Sequence, residues 1–144
     1  MRKPESWYQQ SAVIPYRLSD RDSSVVEILL ITSRKRKRWV IPKGIVELDL
    51  SPLESALKEA YEEAGVRGRA EDAAFGAYVY KKWQGICRVK VFLLEVTDVL
   101  PDWPEAWERD REWITVDEAA SRVREPDLKQ LLLNVPNALA QKLP

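Results

Sequence analysis

Histidine is absent from this chain of 144 residues, and cysteine occurs only once. The lack of histidine excludes a histidine general base, Ser-His-Asp and Cys-His catalytic arrangements, and histidine metal ligands. The single cysteine, Cys87, allows no disulfide within the chain and cannot build a zinc or iron–sulfur site. Any catalysis must therefore use carboxylates, lysine, tyrosine or serine. Any bound metal must take oxygen ligands, which favours Mg²⁺ or Mn²⁺.

The chain also lacks long apolar runs and a net charge. No stretch approaches the roughly 20 apolar residues of a membrane-spanning helix, and residues 1–7 lack the apolar core of a signal peptide. The 23 basic residues balance the 23 acidic ones, so no overall charge draws the protein to nucleic acid or to an anionic membrane. We therefore expect a single cytoplasmic domain over residues 1–144, with neither nucleic acid nor a membrane as partner.

Charge is segregated locally, in five consecutive basic residues at positions 34–38. Like charges on one loop repel one another, and an anionic ligand would relieve that repulsion. Because the run lies a few residues ahead of a Pro-Lys-Gly loop at positions 42–44, we interpret it as a surface that faces a polyanion. A solvated hairpin tip is the alternative, since water and salt also screen such charges.

A short helix is predicted to begin just after Ser51. Ser51 is a candidate N-cap, Pro52 suits the first helical position, and Glu54 completes a capping box. The pattern predicts that the helix runs to about Ala64 and that Gly65 ends it.

Three acids converge beside the apolar face of this helix. Glu59, Glu62 and Glu63 have the spacing i, i+3 and i+4, so they fall within an arc of roughly 100°. Acids at this spacing repel one another, and the C-terminal end of a helix disfavours anions. A bound divalent cation would reverse both penalties, which makes the acids candidate metal ligands. A solvated acidic face balanced by Lys58 and Arg67 is the alternative.

Short β-branched and alternating segments elsewhere in the chain predict a mixed sheet with helices packed on it. Residues 42–44 are expected to end the third strand, and Gly85 to lie in a hairpin turn. The expected strands are residues 11–18, 25–32, 39–41, 73–83, 88–96 and 112–116.

Two further helices are predicted near the C-terminus. Asp117 is expected to cap a short helix that runs to about Val123. A terminal helix is expected to start at Pro126 or Asp127 and to be interrupted near Pro136. Its predicted inward stripe is Leu128, Leu131, Leu132 and Val135.

The stretch from Gly44 to Val66 resembles the signature of the Nudix hydrolases, G-x5-E-x7-R-E-U-x-E-E-x-G-U, where U is an apolar residue. Seven of the nine fixed positions match at the family spacing, and the flanking elements fall where that fold places them. The resemblance implies an α+β fold, an α/β/α sandwich in which the motif helix and a C-terminal helix pack on a mixed sheet. The matching residues are Gly44, Glu59, Ala60, Glu62, Glu63, Gly65 and Val66.

Two signature positions differ from the family pattern. Leu50 stands where the signature has glutamate, and Lys58 stands where it has arginine. Leu50 cannot bind metal, so the role of that acid is either absent or taken over by Glu47 or Asp49. Lys58 keeps the positive charge but lacks the two-pronged guanidinium that orients a carboxylate.

The resemblance implies Mg²⁺- or Mn²⁺-dependent hydrolysis of a diphosphate linkage. Carried over by position, it implies that the three helix acids bind the metals and help to activate water. Lys58 would act beside them, and the backbone carbonyl of Lys43 would be a further ligand. The family often adds an acid from a later loop, for which Glu108 is our choice ahead of Glu105 and Glu112.

Two shorter stretches, Trp39–Gly44 and Arg111–Trp113, resemble the branch of the family that hydrolyses diphosphoinositol polyphosphates and diadenosine polyphosphates. The implied partner is a small-molecule polyphosphate, which basic side chains would neutralise. For Lys81, Lys82, Arg88 and Lys90, ordinary polar positions on a hairpin are the alternative. A monomer or homodimer is expected. The implied substrate-binding residues are Arg34, Arg36, Arg38, Lys43, Gly44 and Arg88.

A binding module that has lost catalysis is the competing hypothesis. Such a module would sense a nucleotide or a phosphorylated metabolite, and Leu50 and Lys58 favour it. The intact set of helix acids favours the enzyme, because an inactive domain has no need of converging acids.

Overall fold

The computed structural model describes residues 7–22, 24–82 and 84–142. Eight strands in these ranges form one mixed sheet. They are β1 (Trp7–Leu18), β2 (Val26–Thr32), β3 (Trp39–Val40), β4 (Lys43–Ile45), β5 (Val66–Arg69), β6 (Gly76–Lys82), β7 (Gly85–Val99) and β8 (Arg111–Thr115).

Helices cover both faces of the sheet. The motif helix α1 spans Pro52–Glu59 and continues as a wider π turn over Ala60–Ala64. Helices α2 (Val116–Arg122) and α3 (Pro126–Ala140) follow the last strand. No helix in the described part of the chain is long and apolar enough to cross a membrane.

The parallel pair of β1 and β7 forms the centre of the sheet, with Trp7–Tyr16 aligned to Ile86–Glu95. The other edge of β1 is shared, because β4 pairs with its first half and β2 with its second half. Lys43 and Gly44 therefore lie on a short strand beside β1, rather than in the break that the sequence predicted. The prediction failed because paired backbone groups stabilise three residues whose side chains carry no strand pattern.

Alternation along β1 divides the core into two layers. Ala12 and Ile14 point to the face covered by α2 and α3, and Val13 points to the opposite face. On that opposite face, the small residues of the motif helix let it pack closely on the sheet. These residues are Ala56, Ala60 and Ala64, which contact the cluster of Val13, Leu29, Ile31, Val66, Phe92 and Leu94. The predicted α+β sandwich is confirmed.

The predicted ends of the motif helix are confirmed. The Ser51 hydroxyl accepts a hydrogen bond from the Glu54 N–H at 3.1 Å, and the Glu54 carboxylate accepts one from the Ser51 N–H at 2.9 Å. Pro52 begins the helix, and Gly65 ends it in the left-handed region with φ of 66°.

Two predictions about the C-terminal helices are wrong. The N-cap of α2 is Thr115, whose hydroxyl accepts from the Glu118 N–H at 3.2 Å, so Asp117 lies inside the helix. The interruption near Pro136 does not occur, and α3 continues to Ala140. Burial of the predicted inward stripe on the sheet outweighs the one hydrogen bond that the proline removes.

Candidate active site

Two of the predicted metal ligands, Glu59 and Glu63, lie side by side where the motif helix meets β4. A Cβ atom on Gly44 would collide with the Glu59 carboxylate, so a larger residue here would force that carboxylate to move. Glu63 Oε1 accepts a hydrogen bond from the backbone N–H of Lys43 at 3.1 Å. Strand β4 therefore contacts both carboxyl groups, and we call Glu59 and Glu63 the acid pair.

Within the acid pair, Glu63 is buried and Glu59 is half-buried, and the two carboxyl groups repel each other. Burial, together with the charge of Glu63 and a hydrogen bond to it, raises the pKa of Glu59. Burial also raises the pKa of Glu63, against the opposing effect of Arg109. Two carboxylates this close resist simultaneous ionisation unless a cation lies between them.

The buried residue Arg109 is the cation that contacts the acid pair. Its Nη2 lies 3.4 Å from Glu63 Oε2, and its Nε lies 2.9 Å from Glu105 Oε1. Its Nη1 donates to the carbonyl of Thr32 at 3.0 Å. Sequence reasoning missed Arg109, because the only local signal was its i, i+4 spacing from Glu105 in an irregular loop.

The third helix acid, Glu62, forms an ion pair with Lys58, and its negative charge contributes to the raised pKa of Glu59. Its carboxylate lies 3.8 Å from Lys58 Nζ, and that ammonium donates to both carboxylate oxygens of Glu47 at 3.0 Å. Glu47 therefore faces Lys58. This contact favours the interpretation that Glu47, rather than Asp49, takes the role of the signature glutamate that Leu50 replaces. Within residues 7–22, 24–82 and 84–142, no group of three acidic side chains is already arranged as a metal site.

Among the loop acids, Glu105 is the one coupled to the acid pair. Its negative charge contributes to the raised pKa of both members, and it shares an arginine with one of them. Glu108 instead lies 3.5 Å from Arg34, and Glu112 lies 3.1 Å from Arg122. The geometry thus reverses the predicted order, in which Glu108 came before Glu105.

A basic cavity of about 570 Å³ opens beside the acid pair. One wall is formed by Tyr80, whose hydroxyl donates to Gln10 Oε1 at 2.6 Å and whose ring centroid lies 5.3 Å from Lys43 Nζ. Burial lowers the pKa of Lys43, and the nearby Glu63 carboxylate opposes that effect. Of the described residues that line the cavity, Glu63 is acidic and seven are basic: Arg34, Lys37, Arg38, Lys43, Lys82, Arg109 and Arg124.

Half of the predicted substrate-binding residues line this cavity. Arg34, Arg38 and Lys43 do so. Arg36 turns toward the later loop, where its Nε lies 3.2 Å from Asp110 Oδ2. Gly44 contributes space for the acid pair, as described above, rather than a cavity wall.

Strand alternation removes Arg88 from the cavity. Arg88 is in register with Val79 on β6, and its guanidinium lies over the ring of Trp7. Tyr80 and Lys82 have the opposite phase on β6 and line the cavity. Tyr80 was missed in the sequence, although its i, i+2 spacing from Lys82 was the available signal.

Comparison with known proteins places this geometry in a family. The sequence profile of the NUDIX domain matches residues 8–134. "Nudix hydrolase 12, mitochondrial" of Arabidopsis thaliana is 38% identical over 132 residues, which cover 79% of this chain and 65% of that protein. "Diphosphoinositol polyphosphate phosphohydrolase 3-alpha" of Mus musculus is 34% identical over 118 residues, which cover 81% of this chain and 69% of that protein.

The fold agrees with a solved structure as well. The crystal structure of a C. elegans Ap4A hydrolase binary complex superimposes with a TM-score of 0.77 at 20% identity, covering 93% of this chain and 98% of that one. This chain spans just under two thirds of the length of the Arabidopsis relative, 65%. The profile match over residues 8–134 shows that the chain belongs to the NUDIX domain family.

Proposed function

We propose that this protein hydrolyses a diphosphate linkage in a small molecule that carries several phosphates, with Mg²⁺ or Mn²⁺ as cofactor. The observation that carries the proposal is the position of the acid pair, whose member Glu63 lines a cavity with seven basic lining residues. A carboxylate pair and a polyphosphate repel each other unless cations separate them. The arrangement therefore suits a metal-bridged polyphosphate.

The substrate class follows from charge and from the relatives. Seven basic residues in one cavity are matched to a dense polyanion rather than to a single phosphate. The names of two similar proteins, a diphosphoinositol polyphosphate phosphohydrolase and an Ap4A hydrolase, point the same way. We therefore favour a dinucleoside polyphosphate or a diphosphoinositol polyphosphate as substrate.

The residues beside β4 fit a divalent metal. Gly44 leaves the space that a Cβ atom would fill. Opposite it in register lies Ser11, whose buried hydroxyl has no hydrogen-bond partner among the described residues. The available donors are all hard oxygens, as Mg²⁺ and Mn²⁺ prefer. Glu59 and Glu63 would hold the metal, with Glu62 and the carbonyl of Lys43 as the further ligands implied by the family resemblance.

In this proposal, one residue orients an acid of the metal site and the basic residues of the cavity bind the phosphates. A bound metal supplies charge neutralisation and lowers the pKa of bound water. Arg109 orients Glu63 by its ion pair at 3.4 Å. Arg38, Lys43 and the other basic cavity residues bind the phosphates and fix the linkage beside the acid pair.

A substrate panel tests the proposal directly. Dinucleoside polyphosphates, nucleoside triphosphates, ADP-ribose and diphosphoinositol polyphosphates are each incubated with the protein and Mg²⁺ or Mn²⁺, and released phosphate or nucleotide is measured. We expect metal-dependent turnover of a dinucleoside polyphosphate or a diphosphoinositol polyphosphate. Turnover of none of the panel, or turnover that survives EDTA, would contradict the proposal.

Two arginines from the same basic run test the cavity. Arg38→Ala is expected to raise KM about tenfold with a smaller change in kcat, because Arg38 lines the cavity and loses a phosphate contact. Arg36→Ala is the matched control, since its guanidinium pairs with Asp110 outside the cavity. Steady-state kinetics should leave KM of the control within twofold of the unaltered protein. Equal KM increases in both variants would mean that the cavity is not the substrate site.

A sensor without turnover is the second candidate function. It is favoured by the incomplete assembly of the acids, since the described residues hold no preformed three-acid group. Tight binding of a panel member without product release would support it.

A single domain over residues 1–144, a cytoplasmic location and a monomer or homodimer stay predictions, as does the absence of nucleic-acid partners. The Arabidopsis relative is named as mitochondrial.

A further inference from the structure

The loop between β7 and β8 lies across the C-terminal end of the motif helix. We call residues 100–111, which are this loop and the first residue of β8, the clamp segment. It donates hydrogen bonds to three successive carbonyl groups that follow the start of the π turn. The Glu105 N–H donates to the carbonyl of Glu62 at 3.0 Å, Trp103 Nε1 to that of Glu63 at 3.0 Å, and Arg111 Nη1 to that of Ala64 at 2.9 Å.

These carbonyl groups belong to the part of the helix that cannot satisfy them itself. The last carbonyls of any helix lack intrahelical partners. Here the final turn is also widened into a π turn over Ala60–Ala64, a distortion that is frequent at functional sites. External donors therefore help to set the backbone orientation from which the side chains of Glu62 and Glu63 project.

Gly65 has a second role besides its left-handed backbone. A Cβ atom at this position would lie 2.7 Å from Arg111 Nη1 and 2.8 Å from Trp103 Cβ. The two clamp side chains are stacked, with the guanidinium carbon 3.8 Å from the indole centroid, and Arg111 Nη2 also donates to the Leu100 carbonyl at 2.6 Å. Gly65 thus leaves room for the stacked side chains of Trp103 and Arg111 next to the end of the motif helix.

The clamp segment also reaches the side chains of the site. Glu105 pairs with Arg109, which contacts Glu63. Glu105 also lies 3.9 Å from Arg34, a residue of the cavity wall. One segment therefore contacts the backbone of Glu62 and Glu63, the side chain of Glu63, and one basic residue of the cavity wall, Arg34.

We propose that Trp103 and Arg111 are positioning residues for the metal site. By holding the carbonyls of Glu63 and Ala64 they fix the direction of the acidic side chains, and so they raise the affinity for a divalent cation. The inference rests on the proposed function for the presence of the metal. A purely structural role, in which the pair only caps the helix, is the alternative that the experiment must separate.

Trp103→Phe tests the inference, because phenylalanine keeps an aromatic ring under Arg111 but removes the N–H donor. The readout is the dissociation constant for Mn²⁺, measured by electron paramagnetic resonance without any substrate. We expect binding to weaken about tenfold, as when an outer partner of a metal ligand is removed. Arg111→Lys keeps the positive charge but loses the guanidinium that donates to two carbonyl groups at once. This variant is expected to weaken Mn²⁺ binding as well.

Lys129→Met supplies the matched control. Lys129 Nζ caps the end of α2 by donating to the carbonyls of Ala120 at 2.9 Å and Val123 at 2.6 Å, far from the acids in the fold. This control is expected to lower Tm while leaving the Mn²⁺ dissociation constant unchanged. If both clamp variants lower Tm but bind Mn²⁺ as tightly as the unaltered protein, the positioning role is overturned and the proposed function stands. If the unaltered protein binds no Mn²⁺, the proposed function and the inference both fail.

Discussion

Glu63→Gln is expected to lower kcat about a thousandfold, equivalent to about 4 kcal/mol of transition-state stabilisation. Glutamine has the shape of glutamate and retains an oxygen that accepts from the Lys43 N–H. It lacks the negative charge that would hold a divalent cation, so the loss should fall on catalysis and metal affinity. Kinetics at saturating substrate across a range of Mg²⁺ concentrations measures both.

Glu27→Gln is the control for this substitution. Glu27 is a partly buried carboxylate that pairs with Arg17 at 2.8 Å on the β1–β2 ladder, away from the acid pair. The same chemical change there is expected to leave kcat within twofold, because it touches neither cavity nor acids. A Glu63→Gln protein that retains a tenth or more of the activity would show that the acid pair is not the metal centre.

Gly44→Ala is expected to lower kcat/KM about a hundredfold, since a displacement of about 1 Å at a reacting group has effects of that size. The added Cβ would occupy the space of the Glu59 carboxylate and force it away from Glu63. Metal binding should weaken with it, so the rise in Tm that Mg²⁺ produces in the unaltered protein should shrink or vanish. Thermal unfolding with Mg²⁺ and with EDTA gives this measurement.

Gly76→Ala tests whether crowding alone explains such a loss. Its Cβ would collide with Leu131 Cδ2, again the end of a flexible side chain, but in the layer between β6 and α3. We expect this variant to lose some stability and to keep both its activity and its Mg²⁺-dependent rise in Tm. Gly44→Ala would refute the assignment of β4 to the site if it behaved in the same way.

Local signals in the sequence identified the motif helix correctly. Ser51, Pro52 and Glu54 act within one turn, and Gly65 acts at one backbone position, so none of them depends on the rest of the fold. The convergence of the three acids was predicted from helical period alone. The ion pair between Lys58 and Glu62 has the i, i+4 spacing of a helix and could have been predicted in the same way, whereas spacing does not indicate the π turn.

The parts of the site that sequence reasoning missed depend on tertiary contacts. Arg109 contacts the carbonyl of Thr32 across 77 positions of the chain, and no local pattern indicates such a partner. Arg88 was predicted to bind substrate because its strand was recognised without knowing which of its residues face which side of the sheet. Successive side chains of a strand point to opposite faces of the sheet. Without knowing which face each residue takes, the sequence cannot show whether a basic side chain points into the cavity or away from it.

The central parallel pair of β1 and β7 has a consequence for how the protein is made. Trp7 is aligned with Ile86, which is synthesised 79 residues later. Strand β1 therefore cannot pair with β7 until more than half of the chain has been synthesised. The clamp segment at positions 100–111, which includes Arg109, is synthesised later still. A ribosome-bound chain that ends before this segment can form the motif helix but has neither its carbonyl donors nor the arginine that faces Glu63. We therefore expect the proposed affinity for metal and polyphosphate to develop only with the last third of synthesis, after the slow closure of a long loop.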